Sequence, residues 1–454
     1  MIVLIKFVRV NDKLVNSRYI TPITLRFSIM ALKNTNITRI MVYSHDTFGL
    51  GNLRRMLAIC EQLLICWPKL SVLLVSGSPM IHEFRLPQRL DYIKLPCLNR
   101  GLSGELCAKY LRMPTEETVA LRSQLIHSAV THFKPDILLV DKKPTGLKGE
   151  LIATLNYLKK DLPNSKCVLL LRDILDTPQK TIAEWCRWGY YSTIQKYYAQ
   201  ILVVGSQTVF DIVQEYRLPL PVAHKVCYCG YIRKQPDNRQ RGDFRAQLNI
   251  ERDAPLVLVT PGGGEDGYDM VHTYLEGIQQ IKTSTRDGEL SHSLKSLVLC
   301  GPEMPIKQQL QLQQMAASCP DVIFKSFSND LLSCVKAADV VVAMGGYNTL
   351  TEILSLGKRV VVVPRIRPSQ EQLIRATRFQ QKGWVTMLHP EEMTARSLLQ
   401  TVLKQFSIPP FYPNDINFNG LSCISHYLSA LVSSDLSGMN FSLSASSPSL
   451  CLPA

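Results

Sequence analysis

The sequence predicts an α/β chain of two doubly wound, Rossmann-like parallel-sheet domains facing each other across a cleft. Three observations predict it. Short apolar, β-branched runs alternate with longer amphipathic segments, the pattern of parallel strands covered on both faces by helices. The alternation breaks once, over residues 233–254, and then restarts. The 454 residues exceed one ordinary core and suit two of roughly 150 to 200 residues each.

Residues 1–36 read as an appendage. Its start, MIVLIKFVRV, is interrupted by Lys6 and Arg9 and lacks a small-residue cleavage site, so it makes a poor signal peptide. Met30 is the expected start of translation. In the first domain, 37–232, strands are expected at 37–44, 71–77, 136–141, 167–173 and 201–206. Residues 233–254, RKQPDNRQRGDFRAQLNIERDA, are dense in charge and turn formers and read as an interdomain linker leading into a short helix. The second domain, 255–405, has strand candidates at 256–260, 296–300, 322–327, 339–345, 359–364 and 384–388. Prolines 409, 410 and 413 follow, then a helix-like stretch from Gly420 to Ser433 expected to pack back on the first domain. The serine-rich residues 434–454 are expected to be disordered.

Composition bounds the function. With 46% hydrophobic and 19% charged residues the chain is globular. A net charge of +14 favours polyanionic partners: phosphates, anionic lipid headgroups or nucleic acid. No run approaches the roughly 18 apolar residues that cross a bilayer. Thirteen scattered cysteines without a CxxC pair read as reduced thiols of a cytosolic protein, and no His/Cys/Asp cluster has metal-ligand spacing.

The densest local signal is AMGGYNTLTEILSLGKRVVVVPRIRPSQEQLIRATRFQQKG, residues 343–383. A buried strand ends in Gly345 and Gly346, and a helix is expected to open at Asn348 or Thr349. Glycines let backbone approach a ligand closely, and a helix start offers free N–H groups and about half a positive charge to a phosphate. Glu352, expected in the first turn, has two readings: bidentate acceptor of ribose hydroxyls, or partner of Thr349 in a T-x-x-E capping box. Glu371, Gln372 and Arg375 can share one helical surface, reaching the cleft or simply meeting solvent.

This segment resembles the C-terminal domain of glycosyltransferase family 28, the class containing MurG-type enzymes. The resemblance places Gly345, Gly346, Asn348, Thr349, Glu352, Glu371 and Gln372 at a nucleotide-sugar site, with Glu371 standing where the MurG pattern has Gln. It implies the GT-B architecture and an inverting, metal-independent transfer. The substrate would be a nucleotide diphosphate sugar, UDP-linked, with no cofactor, giving up a hexosyl or N-acetylhexosaminyl group to an acceptor hydroxyl.

A second glycine-rich turn, TPGGGEDGYD at 260–269, fits G-x-G-x-x-G through Gly262, Gly264 and Gly267. For a dinucleotide enzyme, however, Glu265 and Asp266 would sit beside the pyrophosphate, and no acidic ribose ligand follows at the required distance. In the transferase reading Gly262, Gly263 and Gly264 form the interdomain loop beside the donor phosphates.

On the first domain, YSHDTFGLGNLRR at 43–55 ends the first strand, where open α/β sheets place ligands. It resembles the HDxxGxGHxRR loop of a group of predicted glycosyltransferases, with Asn52 in place of the His. Glycosyl transfer needs a base for the acceptor hydroxyl. His45 and Asp46 are the candidates, or else His45 bonds loop backbone and Asp46 caps the turn. Gly49, Gly51, Asn52, Arg54 and Arg55 stand on the acceptor side, where Arg54 and Arg55 either meet acceptor phosphate or form a solvated helix face. Asp141, Lys142, Arg172 and Asp173 sit at two further strand ends and are expected on the cleft side, or as caps of the next helix.

The partners expected are a nucleotide diphosphate sugar and a glycan or lipid-linked acceptor, without nucleic acid. A cytoplasmic protein peripheral to the inner membrane face is expected. Two other readings stay open: a nucleotide-sugar 2-epimerase or hydrolase, and a non-catalytic nucleotide-sugar-binding protein.

Overall fold

The computed structural model describes residues 7–10, 13–16, 37–45, 50–100, 106–233, 241–283, 294–328, 330–409 and 416–433. Asp46, Gly49, Met30 and residues 434–454 lie outside these. Within the N-terminal appendage, β1 (Phe7–Val10) and β2 (Lys13–Asn16) pair antiparallel.

The first sheet comprises β3 (Arg39–Ser44), β4 (Ser71–Ser76) and β5 (Leu90–Lys94), then, beyond a hairpin of β6 (Leu98–Arg100) and β7 (Leu106–Ala108), β8 (Ile137–Asp141), β9 (Lys166–Arg172), β10 (Tyr198–Val204) and β11 (Val226–Tyr228). Its seven strands run parallel in the order β11-β10-β9-β8-β3-β4-β5. The second sheet comprises β12 (Leu256–Thr260), β13 (Lys295–Leu299), β14 (Val322–Lys325), β15 (Val340–Ala343), β16 (Arg359–Val362) and β17 (Thr386–Met387). These six are also parallel, in the order β14-β13-β12-β15-β16-β17.

Inner strands carry apolar runs because helices cover both faces: β8, β12 and β15 are buried at every position, with polar Asp141 and Thr260 only at the last residues of β8 and β12. The strands with no apolar run in the sequence, β5 (LDYIK) and β11 (VCY), are the edges of the first sheet. Edge strands are only partly buried, so polar residues are tolerated and the apolar run that marks inner strands is missing.

Alternation of side chains splits the second sheet between two cores. Val257, Val259, Val340 and Val342 pack on its outer face, whereas Leu256, Leu258, Val341 and Ala343 join a cluster continuous with the first lobe. That junction is aromatic, with Tyr231 set 6.0 Å from Tyr347 and 5.8 Å from Phe379 between ring centres.

The stretch expected as a linker holds a helix, Arg241–Gln247. Buried Arg245 pins it to the second lobe. Its guanidinium donates to the carbonyls of Ala337, Glu251, Arg252 and Ala254 and pairs with Asp339 at 2.8 Å. The C-terminal helix Gly420–Ser433 returns to the first lobe and lies on helix Leu50–Cys66, burying Ile424 and Leu428.

Candidate active site

The C-terminal ends of both sheets open on one cleft of about 1510 Å³. From the first lobe His45, Gly51, Asn52, Arg54, Arg55, Lys142 and Arg172 line it. From the second come Gly262, Gly263, Gly264, Asn348, Thr349, Glu352, Glu371 and Gln372.

Neighbouring strands β3 and β8 bring His45 against Asp141. His45 Nδ1 lies 2.9 Å from Asp141 Oδ2, and Arg55 donates to Asp141 Oδ1 at 2.9 Å. Burial alone would raise the Asp141 carboxyl, but Arg55 and His45 hold it well below the usual carboxylate range. An ionised carboxylate can only accept, so Nδ1 donates and Nε2 keeps its lone pair for the cleft. Burial lowers the His45 pKa from 6.5 against the opposing pull of Asp141, so the ring is neutral at pH 7. This assembles a positioned base with its orienting carboxylate.

Lys142 follows Asp141 at the edge of β8 in the left-handed region, φ 62°. Burial and the neighbouring Arg172 push its ammonium down to about 8.

The second lobe corrects several expectations. Helix Tyr347–Ser355 begins one to two residues earlier than expected, with Gly346 as its N-cap. Thr349 is therefore the third helical residue and Glu352 sits in the second turn, so the pair makes no capping box. Gly345 is buried away from the cleft. A Cβ there would meet the Gln372 carbonyl at 2.8 Å, so this glycine is needed for helix packing and not for ligand approach. Gly346 has open space around it, although it does not line the cleft either. Gly262, at φ 84°, abuts Thr349 Oγ1, which lies 3.3 Å from where its Cβ would be, so the two glycine turns meet.

Glu371 and Gln372 reach the cleft but already hold protein partners. Glu371, buried at the start of helix Glu371–Gln381, pairs with Arg172 of the first lobe at 2.8 Å. Burial would raise its carboxyl; Arg172, Arg375, Lys142 and Arg365 together hold it at about 2. Gln372 Oε1 accepts from the backbone N–H of Arg365.

Asp141 and Asp173, expected on the cleft side, are sealed behind it at 1% exposure each. Asp173 instead takes two hydrogen bonds from Arg375, at 2.9 and 2.8 Å, and Arg375 gives a third to the Gly345 carbonyl at 2.8 Å. The lobes also touch where Asn348 Nδ2 donates to the Gly51 carbonyl at 2.7 Å and where Arg54 lies 5.8 Å over the Phe327 ring. Sequence reasoning missed Arg375 as this tie, and missed Arg365, which follows β16 and pairs with Asp266 at 2.9 Å. The position of Arg365 just past a strand's C-terminal end was the available signal.

Among the described residues no three His, Cys, Asp or Glu side chains gather as a metal would require, and no helix is long and apolar enough to cross a membrane.

Comparison with known proteins follows the same division. Residues 262–417 match the glycosyltransferase family 28 C-terminal domain. An uncharacterized glycosyltransferase of Methanopyrus kandleri is 28% identical over 172 residues, 38% of this chain and 44% of that protein. A UDP-N-acetylglucosamine–N-acetylmuramyl-(pentapeptide) pyrophosphoryl-undecaprenol N-acetylglucosamine transferase of Clostridium kluyveri is 32% identical over 162 residues, 35% and 41% of the two chains. The chain thus spans less than half the length of these two relatives. Among solved structures, Acinetobacter baumannii MurG superposes with a TM-score of 0.54 at 12% identity over 86% of this chain and 98% of that one. The UDP-GlcNAc 2-epimerase of Methanocaldococcus jannaschii gives 0.55 at 12%, over 86% and 99%. At these identities the likeness is one of fold. The chain therefore has the GT-B fold, and its residues 262–417 match the C-terminal domain of glycosyltransferase family 28.

Proposed function

We propose that the chain is a glycosyltransferase moving a hexosyl or N-acetylhexosaminyl group from a UDP-linked sugar to an acceptor hydroxyl, without a metal and with inversion. The observation that carries this reading is the His45–Asp141–Arg55 relay, facing the start of helix Tyr347–Ser355 across one cleft. Residues 37–232 take the acceptor and 255–405 the donor.

In this reading Thr349 and Glu352 receive the ribose, and the free N–H groups at the start of that helix receive the diphosphate. His45 Nε2 takes the acceptor hydroxyl proton. The acceptor oxygen bonds to the anomeric carbon as the bond from that carbon to the diphosphate oxygen breaks, and the nucleoside diphosphate leaves with the electron pair. Asp141 stabilises the imidazolium that forms, and Arg55 keeps Asp141 ionised. Asn52 supplies no second imidazole. The basic balance of the chain suits peripheral contact with an anionic membrane face, where a lipid-linked or glycan acceptor would be met.

Thermal-shift screening of nucleotide sugars tests the donor site. A UDP-sugar should stabilise the wild type and lose that effect on Glu352→Ala. A wild type that ignores every nucleotide sugar, or a mutant that responds equally, would remove the donor assignment. The fold-level likeness to 2-epimerases favours one rival, which the same samples decide: epimerised sugar and free UDP without an acceptor would replace transfer with epimerisation.

A further inference from the structure

We infer that the acceptor is an anionic saccharide, held on the first-lobe wall by an aromatic shelf and a set of cations; this rests on the transferase reading above. The two walls of the cleft carry opposite charge. Eight Lys and Arg against three carboxylates line the first-lobe wall, whereas the second-lobe wall has Arg365 alone against Glu265, Asp266, Glu303, Glu352 and Glu371. A donor diphosphate seated at the helix start calls for cations near that turn, and Arg172 and Lys142 stand beside Glu371 there. The remaining positive charge lies elsewhere: Arg54 and Arg55 on helix Leu50–Cys66, and a second group, Lys143, Lys148, Lys180 and Arg187, on the loop after β8 and on helix Pro178–Arg187.

That second group surrounds aromatic side chains. Trp188 lines the cleft yet is 45% exposed, with the Arg187 guanidinium 5.8 Å from its ring centre. Behind it Trp185 and Tyr190 pack edge to face at 6.2 Å, and Lys143 lies 5.9 Å over the Tyr190 ring. An open indole on a cleft wall offers a flat face to the C–H side of a pyranose, and the guanidinium beside it suits a carboxylate or phosphate on that ring. Some of the cations are committed: Lys143 pairs with Glu184, and Lys180 donates to the Pro368 carbonyl. Arg187 and Arg54 make no ion pair among the described residues. A neutral glycan packed over Trp188 would displace water from Arg187 without supplying a counter-charge, whereas a carboxylate or phosphate would pair with it.

The test measures binding to the full chain by isothermal titration calorimetry, with UDP present. The probes are a glucuronic-acid-terminated disaccharide, its methyl ester, a hexose 6-phosphate and phosphatidylglycerol vesicles. The acid disaccharide should bind with measurable heat, the methyl ester should bind about tenfold more weakly, and Trp188→Ala and Arg187→Gln should each weaken the acid about tenfold. Binding of hexose 6-phosphate as well would leave the anionic-saccharide class standing and assign phosphate as an accepted charge. Equal binding of acid and ester, binding of vesicles alone, no binding of either anionic sugar, or full affinity in both variants would overturn the inference. UDP-sugar stabilisation should be unchanged in both variants; its absence from the wild type would sink the donor reading instead, so the two failures are distinguishable.

Discussion

Asp173→Ala removes the carboxylate that answers Arg375 between the two lobes. Arg375 is 0% exposed and Asp173 1%, so water cannot replace the lost partner. Two bonds of 2.9 and 2.8 Å disappear, and the guanidinium keeps only the Gly345 carbonyl as a direct hydrogen-bond acceptor. Stranding one member of a buried ion pair costs about 3 to 5 kcal/mol. For a lobe of roughly 150 to 250 residues that is on the order of 10 °C in Tm, readable by differential scanning fluorimetry. Restoring neutrality with Asp173→Ala/Arg375→Met should recover at least half of the loss, because no guanidinium is then left buried without its carboxylate, and Glu371 keeps its pair with Arg172. A single mutant within 2 °C of wild type, or a double mutant no better than the single, would refute the clamp as described.

Four further outcomes follow from the same geometry. His45→Ala should lower kcat by roughly 10² to 10⁴ with little change in donor affinity, measured by steady-state transfer and thermal shift. Because the folded His45 pKa lies below 6.5, kcat/KM should rise with pH on the acid side with its midpoint below 6.5; stability tied to this group is likewise present above 6.5 and lost as pH falls through the folded value. Asp141→Asn removes a carboxylate that raises the His45 pKa, so the acid limb should move to lower pH while the plateau falls about 10²-fold or more; an unmoved limb would remove His45 as its source. Gly345→Ala forces a Cβ to 2.8 Å from the Gln372 carbonyl and should cost about 1 to 3 kcal/mol by denaturant titration.

Most inner strands were legible because burial on both faces makes an apolar run unavoidable, and the two glycine turns were legible because few other residues suit strand-to-helix corners. The edges β5 and β11 were hidden because partial exposure erases that run. Helix Tyr347–Ser355 was placed late because its cap is Gly346, which has no side chain to announce it. His45 was legible as a candidate base, but its partner was not, since Asp141 is 96 residues away and meets it only through the pairing of β3 with β8. The sequence reading put Asp173 at the open edge for the same reason: a strand-end carboxylate looks alike whether it faces water or a distant arginine.

The return of helix Gly420–Ser433 to helix Leu50–Cys66 makes the first lobe depend on two segments more than 350 residues apart in sequence. During synthesis that lobe stays uncapped until the ribosome has released residues past 433, long after its own sheet has been made. A fragment stopped near residue 233 would leave uncovered the surface that Ile424 and Leu428 occupy and should aggregate, whereas a circular permutant joining that helix directly ahead of β3 would let the lobe mature on its own.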